Sequence, residues 1–161
     1  NDDRVIFFAR GAIETVKKLR WTPNIILCSG WMSALAPLYL KKAYNNEPFF
    51  AHSKIVLMLD NEEYTKPFGT KFAEKLRIDG ISNTDVRSIA GFPVGYEELM
   101  RLAVDYSDAV VYASPQVNQR VMNYAETKGK PILPFEEYEN ENEFCKRQWE
   151  FFQTLLDKTN E

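Results

Sequence analysis

The sequence predicts an α/β domain built on a doubly wound, mainly parallel sheet, and two patterns together with their order carry that expectation. Short, unbroken apolar runs (Ile25–Cys28, Ile55–Leu59 and Asp108–Ala113) read as strands buried on both faces. The segments between them repeat apolar residues every three or four positions, the spacing of amphipathic helices. Their order, α-β-α-β-(α-α-α)-β-α-β-α, describes one doubly wound unit over residues 1–161.

The opening segment is a helix with Val5, Phe8, Ala12, Val16 and Leu19 inward, and Asp2 or Asp3 available to cap it. Trp21-Thr22-Pro23 stops it, because a proline disfavours helical geometry in the residue before it. The run Ile25–Cys28 ends at Ser29-Gly30. Trp31 to Tyr44 is helical through Leu35, Leu38, Tyr39 and Lys42, and Pro37 either kinks this helix or sets its start near Ala36. After the strand Ile55–Leu59 the pattern weakens. A helix fits Thr70 to Ile78, with Phe72, Ala73 and Leu76 inward and Gly80 ending it. Asn83-Thr84-Asp85 forms a turn or the cap of a short helix through Ile89. Tyr96 to Tyr106 is a firm helix with Leu99, Leu102, Ala103 and Tyr106 on one side, feeding the strand Asp108–Ala113. Ser114 then caps a helix through Ala125, with Pro115 in its first turn. Gly129 stops it before the short strand Pro131–Pro134. A last helix, Glu139 to Asp157, starts acidic as the helix dipole favours, and turns Phe144, Trp149, Phe152 and Leu156 inward.

A hydrophobic fraction of 45% with 14% aromatics supplies a sizeable core. The net charge of -3 creates no positive field for nucleic acid or anionic lipid. No apolar stretch approaches the roughly 20 residues that span a bilayer, and Asn1-Asp2-Asp3-Arg4 is not a secretory signal. Two cysteines, Cys28 and Cys145, have no partner at a metal spacing and read as reduced thiols, so a cytoplasmic location is expected. A start inside a helix-capping sequence without Met reads as a fragment of a longer protein.

No metal site and no cofactor is expected. The seven glycines form neither GxGxxG nor a P-loop, and Cys28-Ser29-Gly30-Trp31 lacks the pattern of a nucleophile elbow. His52 is the sole histidine and reads as a loop residue. Ligands of open α/β sheets bind beyond the carboxyl ends of the strands. Those ends are Ser29-Gly30-Trp31, Asp60-Asn61-Glu62 and Ala113-Ser114-Pro115. Gly30 permits either a close ligand approach or simply a tight turn. Trp31 can stack on a sugar ring or serve as a core aromatic. Asp60 can act as a base, bind hydroxyls or cap a turn, while Asp60, Glu62 and Glu63 also make a solvated acidic loop.

The stretch from Pro23 to Lys41, through Cys28-Ser29-Gly30-Trp31 and Ala34-Leu35-Ala36-Pro37-Leu38-Tyr39-Leu40, resembles the glycogen and starch synthases. In these a strand ends in a His-x-His-Asp-Trp-type motif followed by a Thr-Ala-Leu-x-Pro-x-Tyr-Leu-like helix. Asp105-Tyr106-Ser107-Asp108-Ala109-Val110 through Ser114-Pro115 resembles their Tyr-Ala-Asp stretch ending in Val-Ser-Pro. The chain looks most like short bacterial proteins of this kind, corresponding to the second half of the family's N-terminal domain. The resemblance implies a metal-independent GT-B glycosyltransferase that moves glucose from ADP-glucose, or UDP-glucose, to an α-1,4-glucan. It also implies a donor-binding Lys-x-Gly-Gly-Leu segment upstream of Asn1 and a second Rossmann-like domain, supplied by missing sequence or by a partner chain.

Gly30, Trp31, Asp60, Asn61 and Tyr64 are the substrate-binding positions the resemblance implies. The match departs where the chemistry is concentrated. Leu27 and Ser29 stand in place of the motif's histidines and Gly30 in place of its Asp, leaving Trp31. After the second strand, Asp60 replaces the histidine of His-Asn-x-x-Tyr, while Asn61 and Tyr64 keep the pattern. A carboxylate cannot donate the hydrogen bond of a histidine N–H, and it repels pyrophosphate. No residue therefore takes a catalytic role, and this chain alone is expected to be inactive. The alternative is a non-catalytic module that binds glucan or nucleotide sugar, or docks on a glycogen enzyme. An unrelated flavodoxin-like binding module is the third reading.

Overall fold

Apolar runs with no polar face form strands that call for cover on both sides, and the two central strands of this chain's sheet receive it. The structure, a computed structural model, describes residues 1–78 and 80–158. Its sheet comprises β1 (Ile25–Ser29), β2 (Lys54–Leu59), β3 (Ala109–Tyr112) and β4 (Ile132–Leu133), all paired in parallel and standing in chain order. Around it lie α1 (Asp2–Lys18), α2 (Ala36–Lys41), α3 (Phe72–Leu76), α4 (Tyr96–Tyr106), α5 (Gln119–Glu126) and α6 (Glu141–Asp157).

Alternation along the strands divides two cores. Ile55, Leu57 and Leu59 of β2 and Val110 and Tyr112 of β3 join the core under α1, α2, α4 and α5. Val56, Ala109, Val111 and Leu133 face the other way and meet Leu155, Phe151 and Phe152 of α6. Helices thus cover both faces of a parallel sheet, as the sequence predicts. Each fully buried Leu or Val in these layers contributes about 1.5–3 kcal/mol.

Two polar clusters fix how the pieces meet. Asp108 donates its backbone N–H to Ile55 O at 2.7 Å. Its carboxylate accepts the Ile55 N–H at 2.8 Å and Lys41 Nζ at 2.7 Å. Asp108 therefore locks the starts of β2 and β3 together and ties both to α2. Asp85 does the same for the connection between α3 and α4. Its carboxylate accepts from Ser82 N and Oγ, both at 2.8 Å, and pairs with Lys42 at 3.1 Å. Tyr106 O–H donates to its carbonyl at 3.0 Å. An antiparallel bridge, Phe68 to Val94, closes the base of the long excursion between β2 and α4.

The helix expected at Trp31–Tyr44 is a 3-10 turn, Trp31–Ser33, followed by α2 with Pro37 in its first turn. The helix expected over 70–78 shortens to α3, ending at Leu76 rather than at Gly80. The inward faces of α1 and α6 differ from expectation. In α1 the buried residues are Val5, Ala9 and Ile13, while Phe8 and Leu19 are about half exposed. In α6 they are Gln148 and Leu155, and Trp149 points to solvent. Ser114 does not cap α5. Asn118 does, accepting from the N–H groups of Arg120 and Val121, while Ser114 Oγ accepts only from Gln116 N. β1, expected to be buried on both faces, buries only Cys28, because no strand covers its outer edge.

Asp108→Ala should lower unfolding free energy by about 1–3 kcal/mol, since it strands the Ile55 N–H. Lys41→Ala removes only an exposed partner and should cost less than about 1 kcal/mol; urea denaturation of both variants compares them. The backbone and side chain of Ser82 hold Asp85 at about 2, below the ordinary carboxylate value, with Lys42 adding to the effect. A depressed folded value means that this stabilisation is present above the unfolded carboxylate range, near ~4, and is lost as pH falls towards 2. The stability gap between wild type and Asp85→Asn, on the order of 1 kcal/mol after solvent screening at Lys42, should close between about pH 4 and pH 2 in denaturation measured across that range.

Candidate functional site

The register brings the carboxyl ends of β1, β2 and β3 level, with Ser29 opposite Met58 and Leu59 opposite Tyr112. The loops leaving them lie side by side, and all five residues singled out in the sequence fall in the first two.

Gly30 begins the 3-10 turn with φ 75° and ψ 163°, a backbone region open essentially to glycine alone. Its carbonyl accepts from Ser33 Oγ at 2.9 Å. A Cβ on Gly30 would stand 2.9 Å from Glu62 Oε2. The residue thus serves a tight turn and also makes room for a carboxylate.

Trp31 is half-buried and its ring meets Tyr64 at 5.0 Å and Phe68 at 6.4 Å. Tyr64 stacks on Phe68 at 4.7 Å, and Phe68 packs on Phe72 at 4.7 Å. This aromatic column runs from the loops into the core. Trp31 therefore has the packing role of a core aromatic at the column's outer end. Tyr64 O–H donates to Val94 O at 3.2 Å, and burial, followed by the Glu98 charge, pushes its pKa well above the ordinary phenol range. Tyr64 braces the loop against the Phe68–Val94 bridge.

Asp60 turns its carboxylate back to accept the Asn61 N–H at 2.8 Å, the capping role weighed from sequence. Asn61 itself is exposed. Glu63 accepts from Asn118 at 2.9 Å, and Asn118 also donates to Glu97 at 3.4 Å, so the cap of α5 joins the β2 loop to the start of α4. Glu98 accepts the Gly95 N–H at 3.0 Å. Tyr96 lies beneath this group: burial first, then the charges of Glu63, Glu62 and Asp60, push its phenol up to about 12. Within the group Arg120 pairs with Glu97 at 3.5 Å.

Sequence reading missed Tyr96, Glu97, Glu98 and Asn118. Each sits in a segment that signals only a helix start; the excursion closed by the Phe68–Val94 bridge brings the start of α4 to the site, and β3 leads Asn118 there. This end of the sheet therefore presents several carboxylate and amide acceptors above an aromatic column. It can accept hydrogen bonds from hydroxyl groups and it disfavours anions. His52 lies in the turn before β2, at the opposite end of the strands. Cys28 is buried, which pushes its thiol up to about 12, so it is no nucleophile at neutral pH. Among the described residues no group of three or more His, Cys, Asp or Glu is arranged to hold a metal ion, and no helix is long and apolar enough to cross a membrane.

Gly30→Ala should destabilise the protein by about 1–3 kcal/mol through backbone strain. Glu62→Ala alone should stay within roughly 0.5 kcal/mol. Adding Glu62→Ala to Gly30→Ala should leave most of the loss in place, because the φ value and not the carboxylate sets it; thermal denaturation of the three variants reads this directly.

The starch synthase catalytic domain family matches residues 1–131 of the chain. Glycogen synthase of Chlorobium luteolum is 39% identical over 88 residues, covering 55% of this chain and 18% of that protein. Glycogen synthase of Aeromonas salmonicida is 26% identical over 129 residues, 80% of this chain and 26% of that protein. Glycogen synthase of Clostridium perfringens is 30% identical over 112 residues, 70% of this chain and 23% of that protein. These matches span about a fifth to a quarter of the length of each relative. No solved structure matches the chain. With a parallel α/β sheet and a family match covering its first 131 residues, the chain belongs to the starch synthase catalytic domain family.

Proposed function

We propose that this chain is the later part of a GT-B-type synthase N-terminal domain, that its strand-end loops engage an α-glucan, and that it transfers no glucose by itself. The observation that carries the reading is the carboxylate group around Gly30. Glu62 stands against Gly30, Asp60, Glu62 and Glu63 act together on the Tyr96 phenol, and Glu63 and Glu97 share the amide of Asn118, beside the Trp31–Tyr64–Phe68 column. A glucan is neutral and rich in hydroxyl donors, which carboxylates and amides accept well. The diphosphate of ADP-glucose is anionic, and several carboxylates at this end of the sheet raise the free energy of bringing it close. Asp60 and Gly30 stand where the resemblance implies His and Asp, and a carboxylate at position 60 cannot donate the hydrogen bond of a histidine N–H. In this reading Asp60, Asn61 and Glu62 contact sugar hydroxyls, Gly30 keeps the loop tight, and Trp31 and Tyr64 hold the platform. Transfer requires a second Rossmann-like domain facing these loops, from further sequence or from a partner chain, in the cytoplasm where glycogen is made.

The purified chain should transfer no label from ADP-glucose to glycogen. Calorimetry should detect maltoheptaose, and should show ADP-glucose binding more weakly, most of all at low salt, where repulsion is least screened. Asp60→Ala should weaken maltoheptaose roughly tenfold through the lost charged acceptor. Measurable turnover, or tighter binding of ADP-glucose than of maltoheptaose, would sink the proposal.

A further inference from the structure

The excursion between β2 and α4 folds around a second concavity, lined by none of the strand-end loop residues. α3 supplies one wall and the 3-10 turn Arg87–Ile89 with its flanks the other, enclosing about 380 Å³. Ala73 and Val86, both buried, form an apolar floor. Each wall brings one arginine, Arg77 from just past α3 and Arg87 from the turn.

The two guanidinium groups are available in different ways. Arg77 Nη1 donates to Asn83 Oδ1 at 2.6 Å, which holds its fork in place and leaves the other N–H groups of the fork free. The Arg87 guanidinium has no hydrogen-bond or ion-pair partner among the described residues. The hydroxyls of Thr70 and Thr84, on the same walls, have none either. At the rim Gly91 has φ 85°, and a Cβ there would meet nothing within 4 Å, so a ligand can reach bare main chain.

The charge of the walls favours an anion. Among the described lining residues Glu74 is the sole carboxylate, and it pairs with neither arginine. Asp85, next in the chain after Thr84, is engaged by Ser82, Lys42 and Tyr106. The strand-end loops present the opposite charge, so an anionic ligand is drawn here and not there.

We propose that this pocket binds a small phosphomonoester, its phosphate between Arg77 and Arg87 and its organic part over Ala73 and Val86. A single guanidinium fork satisfies the two oxygens of a carboxylate. A phosphate offers three strong acceptor oxygens, enough for both forks and a threonine hydroxyl. The volume of about 380 Å³ equals roughly a dozen waters at ~30 Å³ each, more than a bare phosphate fills. Room therefore remains for a few carbons, whose hydroxyls can meet the Asn83 amide and the second threonine. The inference needs no sugar at the strand ends and stands or falls independently of the glucan reading.

The test titrates the isotope-labelled chain with glycerol 3-phosphate and follows its amide signals, with glycerol and glycerate as controls. Glycerol 3-phosphate should shift the Thr84, Arg87 and Gly91 amides saturably, with a Kd on the order of 1 mM at ~0.15 M salt. Glycerate should bind at least about tenfold more weakly, and glycerol should shift none of them. Arg87→Gln should weaken glycerol 3-phosphate at least about tenfold. Arg77→Lys, which keeps the charge and loses the fork, should weaken it about threefold. Glu74→Gln should tighten it about twofold by removing the repelling carboxylate. Lys146→Gln, on α6 across the sheet, should change nothing. All four substituted residues are exposed, so the variants should keep the fold, and their amide spectra check this. Shifts that fail to saturate, glycerate binding as tightly as the phosphate, Arg87→Gln binding like the wild type, or an equal loss in Lys146→Gln would each overturn the proposal.

Discussion

A parallel strand makes two demands: its backbone groups need a neighbour on each side, and its apolar faces need covering above and below. β2 and β3 meet both demands. Each is flanked by strands, and their alternating residues divide between the core under α2, α4 and α5 and the core under α6. Asp108 sets where this arrangement begins, since it joins the starts of β2 and β3 through one backbone and one side-chain contact and ties them to α2 through Lys41. Once the starts are locked, the parallel register brings the ends of β1, β2 and β3 level. The neighbourhood of Gly30, Asp60 and Asn118 is a consequence of that register.

Much of this was legible in the sequence because buried strands and short helices leave little choice. Ile55–Leu59 and the helix Tyr96–Tyr106 appear in the structure almost as their patterns describe. The first and last helices were harder, and for a shared reason. Each carries apolar residues on more than one stripe, Phe8 beside Ala9 in α1 and Trp149 beside Gln148 in α6, so periodicity alone cannot say which stripe is covered. In α6 the structure buries the polar Gln148 and exposes the tryptophan. Ser114 was a reasonable cap by residue type, yet the chain runs on to Asn118 before α5 starts. Of the site, the loops after β1 and β2 were readable from their position at strand ends. Glu97 and Asn118 were not, because their place beside Glu63 depends on the path through β3.

The chemistry at the strand ends rests on a few residues set in a frame of aromatic packing. The Trp31–Tyr64–Phe68 column supports the loop whichever residue stands at position 60, because its contacts run inward to Phe72 and the main core. A carboxylate at position 60 folds back on the Asn61 N–H at no evident cost to that column. The fold therefore tolerates a charge change at position 60, where a carboxylate accepts hydrogen bonds and disfavours anions. Glu62 reinforces the change, since the missing side chain of Gly30 is what admits its carboxylate.

The family match ends at residue 131, before β4 and α6, yet Val56, Ala109 and Val111 lie within it and are fully buried beneath α6. The matched stretch cannot cover its own sheet; a helix outside it does so, and only over part of the width. What α6 leaves uncovered is Leu27, on the strand whose outer backbone groups also lack partners. Backbone and side-chain demands thus remain open on one strand. That strand leads into Gly30, where the chain departs chemically from the synthases it resembles. A neighbour that closed the edge would change solvent access and charge at the loops in the same step, because β1 runs directly into Gly30 and the carboxylate of Glu62 that stands against it.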